Sequence, residues 1–480
     1  MSIFFKTIGF AGGFAWAFLG AEPAAWLDVR DFGARGDGSA DETAAFQSAL
    51  DEASRAGAPV RVPPGRYRFD GGLRFPENAQ LHGSWQHAGY YPGGQLPESL
   101  EQEGPRGQWG KGTVFLVHGG EGDAEGRPFI TLGDNAELRG VVIAYPGMAW
   151  DAERRAPTAF PWTIVLKGDG ILVENVAVQS AFRAIRIQKG PGHLLRNIWG
   201  TPVETGLFVD GTHEIGRLEN IHFKNPRRLG GKAVPEMWLW ASQNATGFVF
   251  GGTDWQYASN LFCWGYGTGY LFTSTPDGDP NGQFAGIGCD RAHRAVVVEN
   301  CKPWGLSIAN GEFVVGPQGA ISGRAARREG LDKTRFLAAD SDPAWVVTGA
   351  RNAGSVRFSN CAFWGEADAG ARIDGPGNVL FSGCFFRRWG GPEGKRAAFE
   401  VAGGALQVIG CQFNTDAPQF AVGRKALGVL ATGNFHNGEW RVSDPGKRGI
   451  FRDNVRVDYK APEPFFKRAK PGGRQRDADP

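Results

Sequence analysis

Hydrophobic and polar positions alternate along this chain in short runs, and the runs recur. "LVENVAV" from Leu172, "LLRNIWG" from Leu194 and "LENIHF" from Leu218 each set apolar positions around one asparagine. These asparagines, Asn175, Asn197 and Asn220, fall 22 and 23 residues apart. Downstream, "FSNCAF", "FSGCFF", "VIGCQF" and "ATGNFH" carry Asn360, Gly383, Gly410 and Gly433 at steps of 23, 27 and 23. Alternation with period two predicts half-buried strands. Further short strands lie between the anchors: "RAIRI" at Arg183, "GLFVD" at Gly206 and "ARID" at Ala371. A repeat near 23 residues holding two or three strands and no helix predicts a solenoid of parallel strands. The fold class expected is all-β, a single-stranded right-handed parallel β-helix over residues 26–460. The asparagines then read as inward amides stacked at a bend, satisfying one another and the backbone.

The ends of such a solenoid need covering, because an open strand edge pairs with other chains. Ahead of the repeats, "DVRDFGARGDGSADETAAFQSALDEA" runs from Asp28 to Ala53. Phe46, Ala49, Leu50 and Ala53 give it one apolar helical face, which predicts a helix lying over the first coil. Ser39 and Glu42 are spaced as a capping box. "APVRVPPGRYRF" from Ala58 supplies two strands about a Pro-Pro-Gly turn. At the extreme N-terminus, Lys6, the apolar run Thr7 to Ala21 and the small residues Ala24 and Ala25 predict a secretory signal peptide over residues 1–25. The mature protein is therefore expected to be secreted or periplasmic. The segment 461–480, with its prolines and clustered charges, is expected to be a largely disordered tail. Its Phe465 and Phe466 are the residues able to dock on the last coil.

Charge and cysteine content narrow the function classes. A formal net charge of +2 over 480 residues leaves no electrostatic footprint for nucleic acid or an anionic membrane. Six cysteines in an exported chain could form a disulfide framework. Cys361, Cys384 and Cys411, however, recur at one position in successive repeats and lie in apolar strands, which predicts a ladder of buried thiols.

"VRDFGARGDGSADETAAFQSALDEA" followed by "VRVPPGRYRF" resembles the N-terminal signature of the pectate-lyase superfamily, in its rhamnogalacturonase/epimerase-like branch. The motif covers about fifty residues, and the coil pattern extends the likeness to Tyr459. The resemblance implies the β-helix fold and a polysaccharide or oligosaccharide substrate. It leaves the reaction open, since hydrolases, lyases, epimerases and tailspikes share these features. "NTD" at Asn414 is similar to the first acidic motif of polygalacturonases, but the other stretches of that family's catalytic set are missing.

Within the repeats, "FVFGGTD" and "FAGIGCD" share the pattern F-x-x-x-G-x-D, which predicts Asp254 and Asp290 on adjacent strands about 4.8 Å apart. A close carboxylate pair is the arrangement needed for an acid and a base. Glu312 follows 22 residues after Asp290 in "NGEF", a stretch also similar to superfamily members, and is expected as a third acidic member. Arg291, His293, Trp238, Trp240 and Trp255 are expected to bind substrate. Long insertions at Trp85–Lys111, Tyr145–Trp162, Asn225–Gln243, Thr273–Gln283 and Gly316–Trp345 are expected to emerge on one working face. The leading expectation is a glycoside hydrolase without cofactor. The alternatives are a polysaccharide lyase, with Arg291 or Arg294 as base and calcium held by Asp254, Asp290 and Glu312, and a non-catalytic glycan-binding protein.

Overall fold

The computed structural model describes residues 26–85, 112–226, 228–229, 232–317 and 342–458. The chain winds as a right-handed parallel β-helix. Each turn lays a strand in one column (A), bends, continues into a second column (B), and returns through a third (C). Columns A and B form one creased 25-stranded sheet, and C is a 13-stranded sheet running in chain order from Leu73–Phe75 to Val442–Ser443. Successive coils are in parallel register: Leu172–Gln179 pairs with Leu194–Gly200, that strand with Arg217–Lys224, and that with Gln256–Trp264.

The crease explains the sequence repeat. Asn175, Asn197, Asn220, Asn260, Asn310 and Asn360 all sit there in the left-handed region, with φ from 53° to 56°. Asparagine is among the few non-glycine residues that tolerate this conformation, and Gly286, Gly383, Gly410 and Gly433 take the same corner elsewhere. The amides stack, with Asn197 Nδ2 donating to Asn175 Oδ1 at 3.1 Å and Asn220 Nδ2 to Asn197 Oδ1 at 2.9 Å, but they are half-buried or exposed at the corner rather than inward as expected.

In-register coils bring like side chains over one another, so the interior fills with stacks. Phe248 lies 5.0 Å from Tyr270, Phe358 4.8 Å from Phe381, and Phe363 5.3 Å from Phe386. All six cysteines are free and buried. The thiol ladder is present, with Cys384 N–H donating to Cys411 Sγ at 3.3 Å and Cys411 N–H to Asn434 Oδ1 at 2.8 Å.

Helix α1, Thr43–Ala56, covers the first coil, with Phe46, Ala49, Leu50 and Ala53 fully buried. Phe46 meets Tyr67, Phe69 and Phe115 edge-on at 5.1, 4.9 and 5.4 Å. The capping box does not form. Ser39 lies in the strand Asp37–Asp41 and Glu42 itself is the N-cap residue. Its carboxylate instead accepts from Arg35 N–H at 2.9 Å and Gly36 N–H at 3.2 Å, fastening the glycine-rich turn to the helix start. At the other end, Leu427, Phe435, Ile450, Val455 and Val457 are exposed around the final strands. The expected signal peptide and tail lie outside the described residues. No described helix is long and apolar enough to cross a membrane.

The insertions do not share one edge. Residues 145–161 and 234–245 lie between columns B and C, whereas 273–281 lies on the opposite edge, between C and A, and residues 318–341 lie outside the described residues. Of the Trp85–Lys111 insertion, residues 86–111 lie outside the described residues.

Candidate functional site

The pairing of Asp254 with Asp290 is not what the structure contains. Phe248 belongs to the column C strand Thr246–Phe250, while Phe284 belongs to the column A strand Gly282–Ala285. The shared sequence pattern therefore spans different parts of the coil. Asp254 lies in the turn from C into A, where its Oδ1 is 3.2 Å from Lys302 Nζ. Asp290 lies in column B opposite Trp264, at the far end of the strand Gln256–Trp264. Most of that nine-residue strand and its bend at Asn260 separate the two carboxylates.

The structure instead brings Asp290 beside Glu312. Gly288 is the register partner of Glu312, and Asp290 stands two residues further along the same strand. The two acids are thus diagonal neighbours on adjacent coils, roughly 7–8 Å apart at the backbone. Gly288 contributes no side chain between them, and a Cβ there would meet the Glu312 carbonyl oxygen at 2.7 Å.

Two rows of outward side chains frame this pair. Counted from the crease residue, the second position gives His222, Phe262, Gly288, Glu312 and Ala362 on five successive coils. The fourth gives Lys224, Trp264, Asp290, Val314 and Trp364. His222 packs 4.9 Å from Phe262 and 5.5 Å from Trp199, which continues the first row. Lys224 Nζ stands 4.9 Å from the Trp264 ring centroid. Helix α2, Pro235–Asn244, rises from the neighbouring insertion and sets Trp238 4.7 Å from Trp264.

Each acid is held by an indole. The Trp264 side chain hydrogen-bonds Asp290, and Trp364 Nε1–H donates to Glu312 Oε1 at 2.9 Å. Trp264 belongs to the coil before Asp290 and Trp364 to the coil after Glu312, so the two indoles flank the pair along the helix axis. Burial raises the Asp290 carboxyl above the usual range, and this outweighs the opposing Arg291 charge and the hydrogen bonds. The Glu312 charge adds a smaller upward push. Glu312 itself is exposed. A partly buried carboxyl raised by desolvation beside an exposed one is the asymmetry that general acid–base chemistry requires.

The other expected site residues divide. Arg291 adjoins the pair in the left-handed conformation, with φ 54°. Trp238 lines it through Trp264. His293 is buried at the turn into column C, where desolvation pushes it down to about 4. Trp240 packs on the helix body, 6.4 Å from Phe182. Trp255 is beside Asp254, away from the pair. His222, Lys224, Phe262, Trp264 and Trp364 were not anticipated. Their signal is positional, because all fall two or four residues after a crease asparagine.

Residues 26–93 match the family described as rhamnogalacturonase A/epimerase, pectate lyase-like. The N-terminal segment is pectate-lyase-like, and the chain as a whole is a parallel β-helix. This chain is 39% identical over 71 residues to an exopolygalacturonase of Arabidopsis thaliana, covering 14% of this chain and 16% of that one. It is 52% identical over 55 residues to alginate lyase 7 of Azotobacter vinelandii, covering 11% of this chain and 6% of that enzyme. It thus spans a small part of each curated relative. Among solved structures it resembles the tailspike protein of E. coli bacteriophage HK620 in complex with a pentasaccharide, with a TM-score of 0.54 and 10% identity, over 90% of this chain and 78% of that one. That likeness establishes the fold. The family match lies in the cap and first coils, remote from Asp290 and Glu312.

Among the described residues of this β-helix, no three His, Cys, Asp or Glu side chains are placed to hold a metal ion. The calcium set expected for a lyase, Asp254, Asp290 and Glu312, does not converge.

Proposed function

We propose that this protein is a glycoside hydrolase acting on a polysaccharide, with Asp290 as general acid and Glu312 as general base. The observation that carries the reading is the diagonal Asp290–Glu312 pair, one carboxyl partly buried and raised by desolvation, the other exposed, with the indoles of Trp264 and Trp364 hydrogen-bonded to them and Trp238 packed on Trp264. Asp290 protonates the departing glycosidic oxygen. Glu312 takes a proton from water as it attacks the anomeric carbon from the opposite side. Glycan recognition is supported by the pectate-lyase-like N-terminal coils. Export follows from the N-terminal sequence and belongs to the same reading.

The test is a polysaccharide screen read by new reducing ends and by ultraviolet absorbance of unsaturated sugars. Hydrolysis releases reducing ends without that absorbance, and Asp290→Asn and Glu312→Gln each abolish the release. Absorbance that depends on Arg291 and survives both substitutions would replace this reading with a lyase.

A further inference from the structure

Asp254 and Trp255 stand apart from the acid pair, in a setting of their own. The turns from column C into column A expose Trp255 at 42% and Trp304 at 51% of full accessibility, and the column A strand Gln256–Trp264 adds Tyr257 at 39%. Trp255 directly precedes the strand Gln256–Trp264, and Trp304 lies just before Leu306–Ala309, two coils further on. At about 4.8 Å per coil the two indoles stand roughly 10 Å apart along the helix axis.

The backbone holds these rings outward at a cost. Trp255 has φ 51°, a left-handed conformation that a bulky residue adopts only when its surroundings fix it. Here Trp255 N–H donates to Asn281 Oδ1 at 3.0 Å, and the Trp304 carbonyl accepts from Arg357 at 2.9 Å. Between the indoles, Lys302 reaches across the intervening coil to Asp254 at 3.2 Å and stands 5.8 Å from the Trp304 ring. Beside them a groove of about 380 Å³ is lined by apolar Ile215, Leu218 and Tyr257 together with polar Arg217, Glu219 and Gln283.

We propose that Trp255, Tyr257 and Trp304, with the Asp254–Lys302 pair between them, form a second polysaccharide-binding surface that does no chemistry. The negative face of an aromatic ring takes up the partly positive C–H face of a pyranose. Ring platforms set two coils apart, with both hydroxyl donors and acceptors between, suit alternate residues of one extended sugar chain. A protein partner would favour a broader, continuous apolar patch, whereas the apolar residues of this groove are interleaved with Arg217, Glu219, Ser259 and Gln283, which carry charges of both signs and hydrogen-bonding groups. The surface opens on column A and its edge, the acid pair on column B, so a long chain can be held at one while cleaved at the other. This inference shares only its ligand class with the proposed hydrolase.

The experiment is affinity electrophoresis of the full chain through gels containing alginate, polygalacturonate or a neutral β-glucan. It compares wild type, Trp255→Ala/Trp304→Ala, the aromatic-preserving Trp255→Phe/Trp304→Phe, and Asp290→Asn. The expected result is retardation by at least one polymer that weakens tenfold or more in the Ala pair, persists in the Phe pair and persists in Asp290→Asn. Cleavage of short soluble oligosaccharides is unchanged in the Ala pair. Equal retardation of wild type and the Ala pair on every gel, or no retardation of wild type, overturns the inference while leaving the hydrolase reading intact. So does a wild-type oligomer that the Ala pair converts to monomer in sedimentation, which would make the surface a self-interface. Loss of all hydrolysis in wild type with retardation retained would sink the hydrolase reading alone.

Discussion

Asp290→Asn should remove activity and at the same time stabilise the fold at neutral pH. Burial raises the folded-state carboxyl above its unfolded value. Between those two values the native state binds more protons than the unfolded one, so stability falls as pH rises through the window. Below the unfolded value both states are protonated and the penalty vanishes. Asparagine is neutral at every pH, keeps an oxygen for the Trp264 indole and is nearly isosteric. At neutral pH the gain should be about 1.4 kcal/mol for each unit by which the native carboxyl is raised. Loss of a general acid removes on the order of 10²–10⁴ of the rate. The assay is urea unfolding of wild type and variant at a series of pH values from 3 to 8, alongside turnover. The two stabilities should converge at the acid end and separate as pH rises, with the variant above. A variant less stable than wild type at every pH, by a constant amount, would show Asp290 to be a structural carboxylate and refute the reasoning.

Two further predictions concern the body of the helix. Asn197→Ala forces alanine into the left-handed corner and removes both ladder bonds, at a cost of about 2–5 kcal/mol, whereas Asn197→Gly removes only the bonds and costs about 1–3; equal unfolding free energies for the two would show that corner strain is not what selects asparagine. Removing residues 470–480 should leave melting temperature and association unchanged, while removing 461–480, with Phe465 and Phe466, should lower the one or promote the other, read by calorimetry and sedimentation, and like behaviour of the two truncations would show that the phenylalanines do not shield the apolar side chains exposed at the last coil.

Much of the fold is legible in the sequence because one physical event recurs in it. Every coil must turn sharply at the crease, the turn needs a positive φ, and asparagine or glycine meets that need. The repeat in Asn175, Asn197 and Asn220 is therefore the pitch of the solenoid written along the chain. The cap was legible through the Phe46, Ala49, Leu50 and Ala53 face, since the helix buries that face on the first coil. Its start was misplaced, because Ser39 and Glu42 have capping-box spacing, yet Glu42 finds better donors in the turn behind it. A local motif cannot register that competition.

The acid pair was half legible, and the reason lies in the geometry of a three-column coil. All three columns alternate apolar and polar residues, so a pattern such as F-x-x-x-G-x-D does not say which column it occupies. Phe248 and Phe284 both point inward, but from columns C and A, and the aspartates that follow them diverge accordingly. The crease removes this ambiguity, since it occurs once per coil at a fixed place. Counting from Gly286 puts Asp290 at the fourth position, and counting from Asn310 puts Glu312 at the second. Two and four share a parity, so both side chains face outward from the same column, and adjacent coils make them neighbours. The same count from Asn260 and Asn360 puts Trp264 and Trp364 beside them. By that count Asp254 falls six residues before its crease, outside the column altogether, and the residues around it there, Trp255, Lys302 and Trp304, make a surface suited to holding a chain rather than breaking one.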